Sequence, residues 1–289
     1  MMNKQTKGIR LVATDLDGTF LKNDHSISLN NLEALYRLGS KNIIRVAATG
    51  RSLKKVKEVI KDEIPFDFIV YSMGTGIFNW KAQQQIFIQN IGKQSVQKLL
   101  KLFVSQSLNF FAFFPAPENH RYWFYRGNEP CVEFERYFKF NEAYETELIP
   151  DAFPDSELSQ MLVIIPEDES LFLKIKSEIE FTCPEIRVIR SSSPITKGYI
   201  WMEIFHHLVS KGNGVKHICS LMDIKQDETM GLGNDYNDLD LLQYTCHSFL
   251  TKNAPTELKN LYPLVPANEQ DGFARTVEKL ERKNLIITI

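Results

Sequence analysis

The chain has 289 residues, of which 43% are hydrophobic and 24% charged, with a formal net charge of −2. A core rarely grows beyond ~250 residues, so the length predicts two domains, and this hydrophobic content needs no metal or disulfide staple. The balanced charge with no basic block argues against nucleic acid as a partner, and no apolar run is long enough to span a bilayer.

The four cysteines, Cys131, Cys183, Cys219 and Cys246, are far apart with no C-x-x-C, which predicts buried reduced thiols. The opening decapeptide MMNKQTKGIR is polar and has no signal-peptide core, so the expected compartment is the cytoplasm.

The stretch IRLVATDLDGTFL, residues 9–21, begins as a strand whose apolar run does not alternate, as in a sheet buried on both faces. It ends on Asp15 and Asp17. Positions i and i+2 of a strand share a side, so two carboxylates would share one small space. One pKa should then rise unless a cation lies between them.

SLNNLEALYRLG follows as an amphipathic helix, capped by Ser28 and stopped at Gly39. NIIRVAATGR reads as a strand ending at Thr49-Gly50, and SLKKVKEVIKDEIP as a helix stopped before Pro65. FDFIVYSMGTG reads as a third strand ending in glycines. Strand and helix alternate, which implies βαβ units and a parallel sheet.

From about residue 85 the texture changes. QQIFIQNIG, LNFFAFFPAP, HRYWFYRGN, QMLVIIPE, EIRVIRSSS and YIWMEIFHH read as strands, with helices in SVQKLLKLFVSQ, CVEFERYFKF and ESLFLKIKSEIEF. This is an α+β region with its own sheet. The first texture returns at LVSKGNGVKHICSLMDI, continues through ETMGLGNDYNDLDLLQYT and HSFLTKNAPTELK, where a helix is expected near Pro255, and closes on a helix in NEQDGFARTVEKLERK. The expected organisation is α/β: a Rossmann-like parallel-sheet core of residues 1–84 and 208–289, interrupted by an inserted α+β domain of residues 85–207.

Four motifs fall after expected core strands or at helix starts, and ligands of open parallel sheets bind beyond the carboxyl ends of strands. DLDGT (15–19) supplies a carboxylate that can attack phosphorus and a second acid that can protonate a leaving oxygen. ATGR (48–51) offers the Thr49 hydroxyl and the Gly50 backbone to an anion. SKGNGV (210–215) brings Lys211, a point charge for a phosphate oxygen. GLGNDYNDLDLL (231–242) packs Asn234, Asp235, Asn237, Asp238 and Asp240 together, hard oxygen donors that suit Mg²⁺, without the spacing of a calcium EF-hand loop. Taken singly, each motif also reads as a turn, a helix cap or a solvated lysine.

Together and in this order they resemble the haloacid dehalogenase-like superfamily, most nearly the Cof-type phosphatases with the large cap of subclass IIB. The resemblance covers nearly the whole chain, with KNAPTELK and DGFARTVEKL similar to the family's closing segments. It implies a Mg²⁺-dependent phosphatase acting on a small phosphorylated metabolite, most often a sugar phosphate, with the inserted domain as a specificity cap. It implies Asp15 as the nucleophile that forms an aspartyl-phosphate, and Asp17 as general acid and base. Thr49, Gly50, Lys211 and Asn237 would hold the phosphoryl group. Asp15, the Asp17 carbonyl, the residue at 234 and Asp238 would hold the metal.

Two positions depart from the family pattern. Asn234 stands where the family usually has Asp, so an uncharged ligand should bind Mg²⁺ more weakly; Met73 replaces an Asn in a turn that Gly74 preserves. A sugar phosphotransferase or phosphomutase and a non-catalytic phospho-ligand binding protein are the rival readings. In the insertion, FFAFFPAPENHRYWFYRG holds eight aromatics, expected to fill a sheet–helix core more than to stack on a sugar. Arg121, Arg126 and Arg190 are expected as surface residues. His206 and His207 are expected on opposite strand faces, unable to share a metal.

Overall fold

The computed structural model describes residues 8–141, 144–150, 152–193 and 195–288. The first seven residues of the polar opening segment lie outside that range, as does the part of the reading that rests on them. By contact the chain forms two compact units, residues 1–51, 55–87 and 210–289, and residues 52–54 and 88–209.

In chain order the first unit runs β1 (Leu11–Thr14), α1 (Leu29–Ser40), β2 (Ile44–Ala48), α2 (Leu53–Val59), β3 (Phe68–Tyr71), β4 (Gly76–Asn79) and β5 (Gln84–Ile88). The second contributes α3 (Lys93–Ser105), β6 (Phe110–Phe113), β7 (Tyr122–Tyr125), α4 (Val132–Asn141), β8 (Glu145–Glu147), β9 (Gln160–Pro166), α5 (Glu169–Thr182), β10 (Ile186–Ser192) and β11 (Tyr199–His206). The first is completed by α6 (Lys211–Leu221), β12 (Thr229–Gly233), α7 (Leu239–Tyr244), β13 (His247–Thr251), β14 (Leu264–Val265) and α8 (Gly272–Arg282).

The first unit's sheet has the order β14-β13-β12-β1-β2-β3-β4-β5, parallel from β14 to β3. β1 and β12 are central, and every residue of both is buried. This is the reason their sequences run apolar without alternation. The order reverses direction of travel at β1, so the loops after β1, β2 and β12 emerge at one edge. Ser28 caps α1 as expected, accepting from the Asn31 N–H at 3.1 Å.

Two local expectations are corrected, and one strand is added. QQIFI, read with the insertion, is β5 of the first unit's sheet, next to the antiparallel strand β4 that follows a turn at Ser72–Gly74. Phe87 at its end packs on His217 of α6, centroids 4.5 Å apart. The helix expected after Pro255 is a single 3₁₀ turn, Thr256–Leu258, because the chain then turns into the edge strand β14. β8, which no expectation covered, pairs in parallel with β7, and its polar residues, two of the three exposed, gave no apolar signal.

The second unit's sheet has the order β10-β11-β9-β6-β7-β8. Its period-two alternation builds two cores. Phe110, Ala112, Met161, Val163 and Met202 pack with α3 and α5. Phe111, Phe113, Tyr122, Phe124 and Leu162 pack with Phe134 of α4. Phe111 stacks on Phe134 with centroids 4.2 Å apart. The aromatic run is thus largely consumed in packing. Arg126 pairs with Glu135 at 2.8 Å, Arg190 with Glu169 at 3.5 Å, and Arg121 lies over the Phe114 ring.

His206 and His207 do not diverge: their rings stack with centroids 4.6 Å apart. β11 ends at His206, so the strand alternation no longer governs His207. Among the described residues no helix is long and apolar enough to cross a membrane.

Candidate active site

β1 delivers Asp15 in extended conformation, its N–H donating to the Leu232 carbonyl of β12 at 2.9 Å. Its side chain is buried beside Lys211, the first residue of α6. The Lys211 ammonium donates to Asp15 Oδ1 at 2.8 Å, to Asp238 Oδ1 at 2.6 Å and to Asn237 Oδ1 at 3.2 Å. The sequence places these residues 196 and 27 positions apart, and the sheet order brings them to one edge.

The glycines around Lys211 serve packing. A Cβ on Gly212 would lie 2.3 Å from the Asp240 carbonyl oxygen, so only glycine lets α6 and α7 approach this closely. At φ +106°, Gly74 likewise leaves room for the Ser210 carbonyl, which a Cβ would meet at 2.3 Å. These contacts set where Lys211 begins its helix.

Asp238 was expected among the metal ligands, and the geometry redirects it. It is fully buried; Oδ1 takes the Lys211 bond, and Oδ2 accepts from the Asn234 and Asp235 N–H groups at 2.8 and 3.1 Å. Both oxygens are engaged by the lysine and the loop, so in this structure Asp238 acts as an anchor for Lys211. Asn237 similarly orients Lys211. Asp235 caps the turn that follows, accepting from the Tyr236 N–H at 2.7 Å, and burial raises its pKa.

The expectation that Asp15 and Asp17 share one space holds only in part. Gly18 turns the chain, and the Asp17 carboxylate meets Arg51 in a fork, 2.7 Å from Nε and 2.6 Å from Nη2. His25 Nδ1 lies 3.1 Å from the same guanidinium. The hydrogen bond to Asp17 holds the Arg51 guanidinium more firmly protonated than usual. Arg51 ends the ATGR motif, but its partner lies 34 positions away, and His25 had no motif at all. Buried Thr49 bonds backbone to Val70 and Met73, and its Oγ1 accepts from the Arg51 N–H at 3.1 Å, which leaves the hydroxyl proton free to donate. Gly50 is exposed, and a Cβ there would meet only Met73 Sδ, at 3.6 Å.

The electrostatics follow from counting charge. One ammonium serves two buried carboxylates, Asp15 and Asp238. Burial pushes the Asp15 carboxyl up to about 8, Asp238 adds to the rise, and Lys211 opposes it. For Lys211 burial disfavours the charge, but Asp15 and Asp238 outweigh it and raise its pKa. The cluster is therefore short of positive charge, as a cation site should be.

Among the described residues no three His, Cys, Asp or Glu side chains gather as a metal site. The available donors are mixed. The inner terminal atom of the Asn234 amide lies 3.2 Å from Asp15 Oδ2, 2.9 Å from the Asp17 carbonyl oxygen and 2.9 Å from Thr19 Oγ1. An octahedral Mg²⁺ with bonds of about 2.0–2.1 Å spaces adjacent oxygens by roughly 3 Å. With Asn234 Oδ1 inward, the Asp15 carboxylate and the Asp17 carbonyl oxygens each lie at that spacing from it, and hard oxygen donors of this kind fit the ion.

Comparison with known proteins places these features in a family. The family model of haloacid dehalogenase-like hydrolases matches residues 12–277. "Putative phosphatase YxeH" of Bacillus subtilis is 25% identical over 94% of this chain and 98% of its own length. The BT1666 phosphatase structure from Bacteroides thetaiotaomicron superposes with a TM-score of 0.79 at 18% identity, covering 99% of both chains. That of the subclass IIB sugar phosphatase BT4131 does so at 0.74 and 18% identity, covering 96% of this chain and 100% of its own. At such identities the two structures speak for the fold.

Proposed function

The chain belongs to the haloacid dehalogenase-like hydrolases, and from that premise we propose that it is a Mg²⁺-dependent phosphatase for a small phosphorylated metabolite, a sugar phosphate by substrate class. The observation that carries the reading is the pair Asp15 and Lys211: a buried carboxylate at a central strand end, with an ammonium 2.8 Å away. The names of the relatives support the reaction type, and that of BT4131 the substrate class.

The Asp15 carboxylate attacks phosphorus as the bond to the leaving oxygen breaks, and the Asp17 carboxyl gives that oxygen its proton. Water then attacks the aspartyl-phosphate, Asp17 takes the water's proton, and inorganic phosphate leaves with Asp15 restored. Lys211, and the Thr49 hydroxyl as a donor, neutralise charge on the phosphoryl oxygens. Asn237 and Asp238 hold Lys211. Asp15, the Asp17 carbonyl and Asn234 would hold Mg²⁺, which when bound supplies the positive charge that lets an anionic ester approach a carboxylate. Arg51 fixes the Asp17 carboxyl group in place through its two-point fork.

We assign the insertion the role of specificity cap, supported by its place in the chain between the second and third motifs. The four unpaired thiols agree with a cytoplasmic setting. The test is phosphate release from a panel of sugar phosphates and an aryl phosphate, with Mg²⁺ titrated, beside Asp15→Asn. Mg²⁺-dependent release that vanishes in the variant supports the reading. No release from any substrate at saturating Mg²⁺ overturns it.

A further inference from the structure

The Asn234 amide has an acceptor at one end and donors at the other, and its surroundings distinguish the two. On the inner side lie Asp15 Oδ2, the Asp17 carbonyl oxygen and Thr19 Oγ1, at 3.2, 2.9 and 2.9 Å. On the outer side lie Gly18 and the Asn253 amide; Asn253 Nδ2 donates to the Gly18 carbonyl at 2.8 Å. With Nδ2 inward, Asn234 donates to the inner oxygens and its own oxygen faces outward. With Oδ1 inward, Thr19 can still donate to it, at 2.9 Å, but Asp15 and Asp17 offer it only acceptors. A divalent cation among those oxygens would reconcile them.

We propose that Asn234 is a cation-responsive amide: without a divalent cation its Nδ2 turns inward and bonds to Asp15 and Asp17, and binding of the cation turns Oδ1 inward as a ligand. This rests on the Mg²⁺ reading above. The heavy-atom frame serves both states, because the change is a half-turn about χ2, a soft torsion with two roughly equivalent settings. Thr19 Oγ1 accepts in one state and donates in the other. A carboxylate at 234 has no such choice: without a cation it would only repel Asp15. The amide therefore stabilises the cation-free protein, and cation binding must replace the hydrogen bonds it makes there.

The test uses the full-length protein and Asn234→Asp. Thermal unfolding is followed in EDTA and across a MgCl₂ titration, and the side-chain amide resonances of ¹⁵N-labelled protein are recorded at each step. The Asn234 pair is identified by its absence from the variant. The proposal expects the wild type to melt higher than Asn234→Asp in EDTA, and the variant to gain more from Mg²⁺ with an apparent Kd at least tenfold lower. It expects the Asn234 pair to exchange slowly with solvent in EDTA and to shift with Mg²⁺ in step with the melting temperature.

An Asn234 pair unmoved at saturating Mg²⁺ overturns the proposal, as does a variant that melts no lower than wild type in EDTA. If Asn234→Asp does not fold, the wild-type resonances, assigned through the Asn234 backbone, decide alone. None of these readouts needs turnover. A shifting amide with no phosphate release sinks only the phosphatase reading, and Mg²⁺-dependent release with an unmoved amide sinks only this one.

Discussion

Both units of this chain bury ionisable side chains, and they treat the charge in opposite ways. In the first, fully buried Lys211 and Asp238 and nearly buried Asp15 meet directly, ion to ion. In the second, Glu133 is as deeply buried, but its partners are neutral: Ser193 Oγ and, at 3.1 Å, Trp201 Nε1. Its other oxygen has no hydrogen-bond partner among the described residues. The first arrangement leaves a reactive carboxylate poised in a charge-deficient space. The second ties a helix to a sheet. Burial alone does not mark a reaction site; two carboxylates sharing one ammonium at a strand end do.

The comparison is tested hardest at its two poles. Asp15→Asn is expected to lower phosphate release by at least about 10⁴-fold, as loss of a nucleophile does. It should not lower the melting temperature in EDTA, since it leaves one ammonium for one carboxylate; a large drop would mean that Asp15 is structural. Lys211→Met leaves two buried carboxylates unpaired and should cost about 3–5 kcal/mol in denaturant unfolding. The matching change in the other unit, Glu133→Gln, keeps an acceptor for Trp201 and should shift stability by no more than about 1 kcal/mol. Equal losses for the two would erase the distinction.

A middle-sized effect is expected at Arg51. Its pair with Asp17 is partly exposed, the side chains retaining 18% and 44% accessibility, so Arg51→Ala should change stability by under about 1 kcal/mol. If the guanidinium positions the acid–base group, kcat should fall about 10²-fold with KM little changed, and Arg51→Lys should recover part of it. Unchanged kcat would make the pair a surface ion pair only.

The core strands were legible because a sheet covered on both faces demands unbroken apolar runs, and the motifs because each is local. Asp15, Lys211 and Asn237 could be singled out from their own few residues. Arg51 beside Asp17 could not, since the contact spans 34 positions and no local pattern encodes it. For Asp238 the sequence could not show the bonds the structure gives it, because a carboxylate in a polar loop looks the same whether it faces a metal or a lysine and two backbone N–H groups. β5 was placed with the wrong sheet because strand pattern reports burial, never the partner strand.

The smallest expected effect compares the two units through pH. In the first, Asp15 has its pKa raised from 3.8 to about 8, chiefly by burial, so the folded state holds its proton more tightly than the unfolded chain. Its contribution is complete below 3.8 and lost as pH rises through 8. In the second, burial and then His207 lower the pKa of His206 from 6.5. The unfolded chain then takes the proton first, so this contribution is present above 6.5 and lost as pH falls through the lower folded value. His206 Nδ1 also accepts from the Leu208 N–H at 3.2 Å, a bond that needs that nitrogen unprotonated. His206→Asn keeps an acceptor there without the titration. In EDTA it should recover no more than about 2–3 °C of the melting temperature lost between pH 7 and 5. The alkaline-side loss should be untouched by His206→Asn and removed by Asp15→Asn. If His206→Asn instead flattens the alkaline side, the titrating groups of the two units are energetically coupled and the contrast between them fails.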